Sequence, residues 1–546
     1  MLNRFINKQE NMVAEAIDGL ILSSTNLARL DGYPDIKVIC NKSWDKNTTG
    51  DKQVALISGG GAGHEPAHAG FVGEGLLTAA VSGEVFASPS VEAILAAIRA
   101  VTGAAGCLLI IKNYTGDRLN FGLAAEIAKS QYGLNVEMVI VGDDCAIDTK
   151  QPRGLAGTLL IHKIAGALAS QGAKLGQIKS ICEGAASKIV TIGLSLSNCN
   201  IPGSEPKERI KPGEFELGLG IHGEPGTSTM KMSSAQQLLE LLLEQLRPRI
   251  PKDCELLAFI NGLGAVPPME LGILTQNLLQ SKLGRQISML LGPAQLMTSL
   301  DMNGVSLSVL PLTETLKQLL RFEVKNKFWC LTEHPSLDIL PCPEHQVATY
   351  ASSPDPIAEK VLRAACEALI AEKDMLNELD FKVGDGDAGT TFSLAAKRIL
   401  EKIPLLPLKQ PKNLSLALGQ ILASAGGSSG VLLSIFFTAV GKQLTEDSVW
   451  NQEAFKAGIS AMSHYGGAKL GDRTMLDAMI PAIDQMDRGL GFTLEAAKSG
   501  LEKTKSVEST QSGRSSYLSS EKLKGIPDPG ACAVVVVLEA ISSVLN

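Results

Sequence analysis

No Cys-x-x-Cys pair occurs among the ten cysteines, which lie scattered along the 546 residues. That excludes the paired-thiolate zinc and redox motifs, and with the polar opening segment Met1 to Glu10, which lacks the apolar core of a signal peptide, it points to a reduced cytoplasmic protein. Histidine is as sparse, at seven. No basic run interleaved with aromatic residues appears, and a net charge of -7 with a pI near 5.7 argues against a nucleic-acid surface. No apolar run is clean enough to span a membrane. Ile421 to Gly441 is uncharged, but Ser424, Gly426, Gly427, Ser428, Ser429 and Gly430 fill its first half, so it reads as a phosphate-type loop followed by a buried helix. A Walker A motif is missing as well, because the only Gly-Lys pair, Gly441-Lys442, is followed by Gln443. Any kinase chemistry here belongs to another class.

What is present in excess is carboxylate at one place. Asp380, Asp385 and Asp387 fall within eight residues and run straight into Ala388-Gly389-Thr390-Thr391. Carboxylates so crowded repel one another unless a cation sits among them, and hard oxygen ligands suit Mg²⁺ carrying a phosphate. The alternative is a solvated acidic turn. Upstream, apolar residues recur at helical spacing from Ile357 to Leu379, with Asp355 as N-cap and Pro356 at the first helical position, which predicts one helix ending near Asp380. Downstream, Phe392 to Ile403 reads as a second helix whose first amides, at Gly389, Thr390 and Thr391, suit phosphate oxygens. Gly- or Ser-rich turns recur at later helix starts: Gly426 to Gly430 with Ser428 and Ser429, Gly471-Asp472-Arg473-Thr474, and Asp528-Pro529-Gly530. Each alone is an ordinary cap. Together they predict loops converging on one nucleotide at the mouth of a helical bundle, with Arg473 neutralising phosphate.

The first part of the chain has a different texture. Short β-rich runs (Val54 to Ile57, Cys107 to Ile111, Val136 to Val141, Lys188 to Leu194, Leu256 to Ile260, Ile287 to Leu291, Val305 to Leu310) alternate with helical segments, the pattern of parallel α/β units. A Pro-rich stretch, 335–355, reads as a linker, giving domains at 1–334, with an internal break near 185–195, and 356–546. Polar residues just beyond the carboxyl ends of parallel strands are where such folds bind ligands, which selects His64, Lys112, Asp117 and His222. Two look-alike motifs fail in context. His64-Glu65-Pro66-Ala67-His68 has the spacing of a zinc hydrolase helix, but Pro66 and the glycines before it forbid a helix interior. Gly218 to Gly223 matches a dinucleotide fingerprint, yet Pro225 falls in the first turn of the helix it would need.

The segments Ser58 to His68, Lys112 to Gly122, Gly220 to Gly226, Gly384 to Asp387, Gly426 to Gly430 and Gly471 to Met475 resemble, in order, the single-chain ATP-dependent dihydroxyacetone kinase family. The resemblance covers nearly the whole chain. It implies an α/β substrate-binding domain of two subdomains followed by an all-α, closed antiparallel helical barrel that binds ATP. It further implies that His222 binds the ketone covalently as a hemiaminal, that His64, Lys112 and Asp117 contact substrate hydroxyls or take a proton, and that Gly60, Gly61, Ala62 and Gly63 form the loop around the substrate. In the second domain it implies two Mg²⁺ ions on Asp380, Asp385 and Asp387. ATP would meet Ala388, Gly389, Thr390, Thr391, Ser428, Ser429, Gly471, Arg473, Thr474, Asp528, Pro529 and Gly530. Members usually act as homodimers; some also cyclise FAD to cyclic FMN, and relatives take phosphate from a phosphocarrier protein. Two positions depart from the usual pattern: Ala62, where Ser is common, and Ala388, where Thr or Cys is common. A neutral imidazole adds to a ketone and not to an alcohol, so His222 would select dihydroxyacetone or glyceraldehyde against glycerol by chemistry rather than by shape.

Overall fold

The computed structural model describes residues 4–32, 35–205, 209–344, 348–424, 426–507 and 523–545, and divides into two compact units, Met1–Leu340 and Pro341–Asn546. In the first unit, β1 (Leu27–Arg29), β2 (Val38–Asn41), β3 (Ala55–Ala62), β4 (Ala79–Val85), β5 (Cys107–Lys112) and β6 (Val136–Val141) form a sheet in the order β1-β2-β4-β3-β5-β6. Here the predicted parallel pairing holds for β4-β3-β5-β6. Alternate residues of β5 serve two cores. Leu109 and Ile111 pack with Ile94, Ala97 and Ile98 of α2 (Val91–Val101) and Phe121 and Ala125 of α3 (Thr115–Tyr132), while Leu108 and Ile110 face the opposite cluster.

The second sheet corrects the expectation of parallel units. Its strands β7 (Val190–Ser195), β8 (Glu214–Leu217), β9 (Ser228–Lys231), β10 (Leu256–Gly262), β11 (Ile287–Ala294), β12 (Gly304–Pro311) and β13 (Leu331–Glu333) run β13-β11-β10-β12-β7-β8-β9, and only β10 and β11 are parallel. A run buried on both faces looks the same whichever way its neighbours point, so apolar runs do not report strand direction. Between the sheets lies α4 (Thr158–Ser170), buried from Thr158 through Ala169, as an all-round apolar helix must be. Next to it is α5 (Leu175–Ala186); α6 (Ala235–Leu246) and α7 (Pro268–Gln280) cover the far face of the second sheet, and α8 (Glu314–Arg321) packs on α4.

The second unit is helical. Its α9 (Pro356–Ala371) starts as predicted, with the Asp355 carboxylate accepting from Ile357 N (2.9 Å) and Ala358 N (3.0 Å). The single helix expected to reach Leu379 is instead broken at Glu372, and α10 (Lys373–Val383) follows. Cys366 of α9 and Leu376 of α10 belong to different core clusters. After α11 (Ala388–Lys402), α12 (Pro411–Ala423), α13 (Gly427–Gln443), α14 (Gln452–Gly466), α15 (Leu476–Asp484), α16 (Leu490–Thr504) and α17 (Pro529–Leu545), the ring closes, because α17 packs on α9. The Ile421 to Gly441 stretch is split between α12 and α13, and among the described residues no helix is long and apolar enough to cross a membrane. Each unit carries its own buried clusters. Expressed separately, residues 1–340 and 341–546 are therefore expected to give two cooperatively melting polypeptides by circular dichroism, and a molten fragment would count against the division.

Candidate active sites

Strands β3 and β5 are hydrogen-bonded neighbours, and Gly60, His64 and Lys112 come from their C-terminal ends and the turn that follows. Lys112 is fully buried, and Asp117, in the first turn of α3, is 3 % exposed. A Cβ on Gly60 would lie 2.5 Å from Lys112 Nζ and 3.6 Å from Asp117 Oδ2, so the glycine leaves room for the cation beside the carboxylate. Burial pulls the Lys112 ammonium down from its ordinary range and the Asp117 charge opposes that. The other carboxylate oxygen, Asp117 Oδ1, is buried without a hydrogen-bond partner. His64 sits opposite. Its Nδ1 donates to Thr298 O (2.8 Å), which leaves Nε2 as an acceptor, and that nitrogen too is buried and unpartnered. Burial, then the Lys112 and His222 charges, hold the imidazole well below the usual histidine range and thus neutral.

His222 joins them from a loop after β8. Its ring lies edge-on to His64 (centroids 4.8 Å apart), Tyr114 (4.4 Å) and Phe86 (5.3 Å), and Glu224 fixes it: Oε2 accepts from His222 N (2.8 Å) and Oε1 from Nδ1 (3.2 Å). Burial pushes the Glu224 carboxyl up, but the His222 hydrogen bond and charge bring it down to about 2, so it is ionised. With Nδ1 held by Glu224, Nε2 is the nitrogen left for a nucleophilic role. The sequence did not mark Phe86, Tyr114, Glu224 or Thr298; Glu224 at two residues from His222 was the one local signal. Gly61, Ala62 and Gly63 shape the strand end and turn. A side chain on Gly61 would meet the backbone of Phe86 and Ala87, the Ala62 carbonyl accepts from Phe86 N (2.9 Å), and Gly63 N donates to the Glu65 carboxylate (3.0 Å). Gly60→Ala pushes the Lys112 ammonium aside, and since a misplacement of about 1 Å costs on the order of 100-fold, its turnover is expected to fall that far; the positive φ of Gly60 means the melting temperature falls as well. Wild-type kinetics in this variant would refute the tight packing around Lys112.

In the second unit, Asp380, Asp385 and Asp387 bring one ligand oxygen each within 4.8 Å of one another. Asp380 Oδ2 accepts from Asp387 N (2.9 Å) and Ala388 N (3.1 Å), so this buried carboxylate caps α11 with one oxygen and keeps the other for a ligand. A Cβ on Gly384 would strike Asp380 Oδ1, so the glycine leaves that carboxylate its place. The donor set, hard oxygens at the negative end of α10, fits Mg²⁺. The expectation for the α11 amides needs correction. Thr390 N donates to Asn377 Oδ1 (2.9 Å) and Thr391 N to Asp387 O (3.0 Å), and Gly389 packs on the Lys373 carbonyl.

A cavity next to the carboxylates gathers most of the other candidates: Asp380, Asp387, Ala388, Thr391, Ser428, Ser429, Arg473, Thr474, Asp528, Pro529 and Gly530 line it. Asp385, Gly389, Thr390 and Gly471 do not; Gly471 N instead donates to Asp477 Oδ1 (2.7 Å). The first turns of α11, α13, α15 and α17 all border this cavity. The α11 start is capped by Asp380 and the α17 start by Asp528, whose Oδ1 accepts from Ala531 N (2.7 Å), so the α13 start, which has no side-chain cap among the described residues, is the helix end best suited to phosphate. Arg473, 1 % exposed and in the left-handed region (φ 59°), donates Nη2 to Ile526 O (2.8 Å) while Nε and Nη1 have no partner. Burial pushes the neighbouring Asp528 carboxyl up to about 7 against the opposing Ala531 amide and Arg473 charge. Val383, Leu432, Met462 and Ala468 also line it and carry no sequence signal, being ordinary core residue types.

Residues 18–328 match the Dak1 domain family and residues 382–543 the DAK2 domain family. The chain is 44% identical to the dihydroxyacetone kinase of Citrobacter freundii, with 98% of each chain covered, and 39% identical to the human triokinase/FMN cyclase over 100% of this chain and 99% of that one. It is also similar to the crystal structure of the C. freundii dihydroxyacetone kinase in complex with AMP-PNP and Mg²⁺, at a TM-score of 0.78 and 42% identity with 99% of each chain covered. Two domain matches in order, a full-length relative and a full-length structural likeness make this chain a member of the dihydroxyacetone kinase family.

Proposed function

We propose that the chain transfers the γ-phosphoryl group of ATP to a terminal hydroxyl of dihydroxyacetone, and that glyceraldehyde is a second acceptor. The observation that carries this reading is the pair of unpartnered buried acceptors, His64 Nε2 and Asp117 Oδ1, grouped with His222. The Nε2 lone pair of His222 adds to the ketone carbon, the carbonyl electron pair moves to oxygen, and the proton that leaves Nδ1 at Glu224 is made up by one taken by that oxygen, giving a neutral hemiaminal without loss of water. Tethered so, the terminal hydroxyl gives its proton to Asp117 or His64 as its oxygen attacks the γ-phosphorus and the bond to the ADP oxygen breaks. Arg473, with two free N–H-bearing nitrogens, is suited to phosphate oxygens. Mg²⁺, when bound by Asp380, Asp385 and Asp387, neutralises phosphate charge, and three carboxylates have the capacity for two ions.

The ten free cysteines suit the reducing cytoplasm. A homodimer follows from the family habit, and exposed Leu119 and Leu123 on α3 and Ile140 on edge strand β6 offer apolar surface for one. A second reading, FAD cleavage to cyclic FMN at the same carboxylates, is favoured by the name of the human relative. Purified protein with ATP and Mg²⁺ is to be assayed against dihydroxyacetone, D-glyceraldehyde, glycerol and FAD. Phosphorylation of the two carbonyl compounds and not of glycerol is expected, and equal rates with glycerol would overturn the covalent selection.

A further inference from the structure

The second histidine of the zinc look-alike motif has no place in the scheme above, yet it is 5 % exposed and lies against its cation. Its protonation state can be read from the hydrogen bonds around it. Ser58 Oγ is 2.7 Å from Ile110 O, a group that only accepts, so the single hydroxyl proton is spent there. Ser58 Oγ is also 3.3 Å from His68 Nδ1, and having no second proton it accepts from Nδ1–H. The neutral ring then bears a lone pair on Nε2, which lies 3.2 Å from Lys112 Nζ. Four groups face that ammonium: His68 and His64 from the turn after β3, Asp117 from α3, and His162 from α4, whose ring lies 5.0 Å from that of His68 and has no hydrogen-bond partner. Among the three histidines, His68 is the one bonded to Lys112.

We propose that His68, oriented by Ser58, is a positioning residue for phosphoryl transfer: its Nε2 accepts from the Lys112 ammonium and so fixes the cation beside Asp117. The inference rests on the assignment of Lys112 and Asp117 to the substrate site. A histidine serves here where a carboxylate would not, because it holds the ammonium without neutralising the charge that Asp117 must feel. The bond into the neutral ring is stronger from the charged ammonium than from the neutral amine. Its loss therefore favours the neutral amine.

The test uses steady-state kinetics of the full chain with ATP, Mg²⁺ and dihydroxyacetone, together with thermal melts. In His68→Asn the amide sits where Nδ1 was, keeping Ser58 and losing Lys112; in His68→Gln it sits where Nε2 was and restores an acceptor. We expect His68→Asn to lose on the order of 100-fold in kcat, the cost of a misplaced group, with a smaller change in KM. The alkaline limb of its kcat profile should move to lower pH. His68→Gln should recover most of both. Ser58→Ala, which frees the ring to take the other tautomer, should share the kcat defect in milder form. Wild-type kcat and an unmoved alkaline limb in His68→Asn, or equal losses in His68→Asn and His68→Gln with that limb unmoved, would overturn the role. Lys112→Met separates the two layers: if it is inactive while His68→Asn is normal, the His68 role alone fails, and if Lys112→Met keeps wild-type turnover, the site assignment fails and the His68 role with it.

Discussion

Asp385→Ala or Asp387→Ala is expected to abolish ATP-dependent turnover while leaving dihydroxyacetone binding intact. The three carboxylates sit within one turn and one helix end of the second unit, whereas His64, Lys112, Asp117 and His222 belong to the first. A metal at a transferring phosphoryl group supplies several kcal/mol of charge stabilisation, and a loss of about 4 kcal/mol is on the order of 10³ in rate. Of the two measurements, turnover by a coupled assay should fall by that factor or more, and ketone binding by calorimetry should be unchanged. Turnover within about tenfold of wild type, a shortfall of only about 1.4 kcal/mol, would remove the metal role from these residues. Asp380 differs. Its Oδ2 caps α11, so Asp380→Ala is expected to lower the melting temperature as well, through about 1 kcal/mol of lost capping.

His222→Ala is expected to lose a covalent adduct that the wild-type chain forms with dihydroxyacetone. A hemiaminal adds the whole ketone, so gentle intact-mass measurement of wild type should show the mass of one complete substrate, and a soaked crystal should show density continuous from Nε2 to a tetrahedral carbon. The variant should show neither. Turnover should fall by on the order of 100-fold, because the tether that holds the terminal hydroxyl for attack is gone. Discrimination against glycerol should fall with it, since the remaining hydrogen-bonding groups meet hydroxyls in both molecules. A planar, unattached ketone with His222 turned away would refute the covalent step. Glu224→Gln should weaken the adduct without abolishing it, as the amide still lets one oxygen accept from Nδ1 or from the backbone.

Several features were legible before any coordinates. The α9 start was readable because Asp355 and Pro356 act within one turn of themselves, and so was the carboxylate cluster, because Gly384 and Gly386 make the short Gly-Asp-Gly segment a turn that folds Asp385 and Asp387 back to Asp380. Other expectations failed for a common reason. The antiparallel second sheet, the break at Glu372 and the engaged amide of Thr390 all depend on which distant surface a segment meets, and a segment's own residues do not record that. The substrate site divides along the same line. Gly60, His64 and Lys112 were placed by their positions at strand ends, but His222 gained its aromatic box from Phe86, Tyr114 and His64, and His64 its tautomer from Thr298.

By itself, then, the sequence determined what short-range covalent geometry can hold: caps, turns, paired carboxylates, the alternation that buries both faces of β5. Only the tertiary structure decided which nitrogen of each histidine is free, which oxygen of Asp117 is left without a partner, and that four helix ends border one cavity. Local signals survive in the chain because they act between residues a few bonds apart. Protonation and convergence are set by charges and dipoles brought within a few ångströms by packing, where burial removes the water that would otherwise screen them.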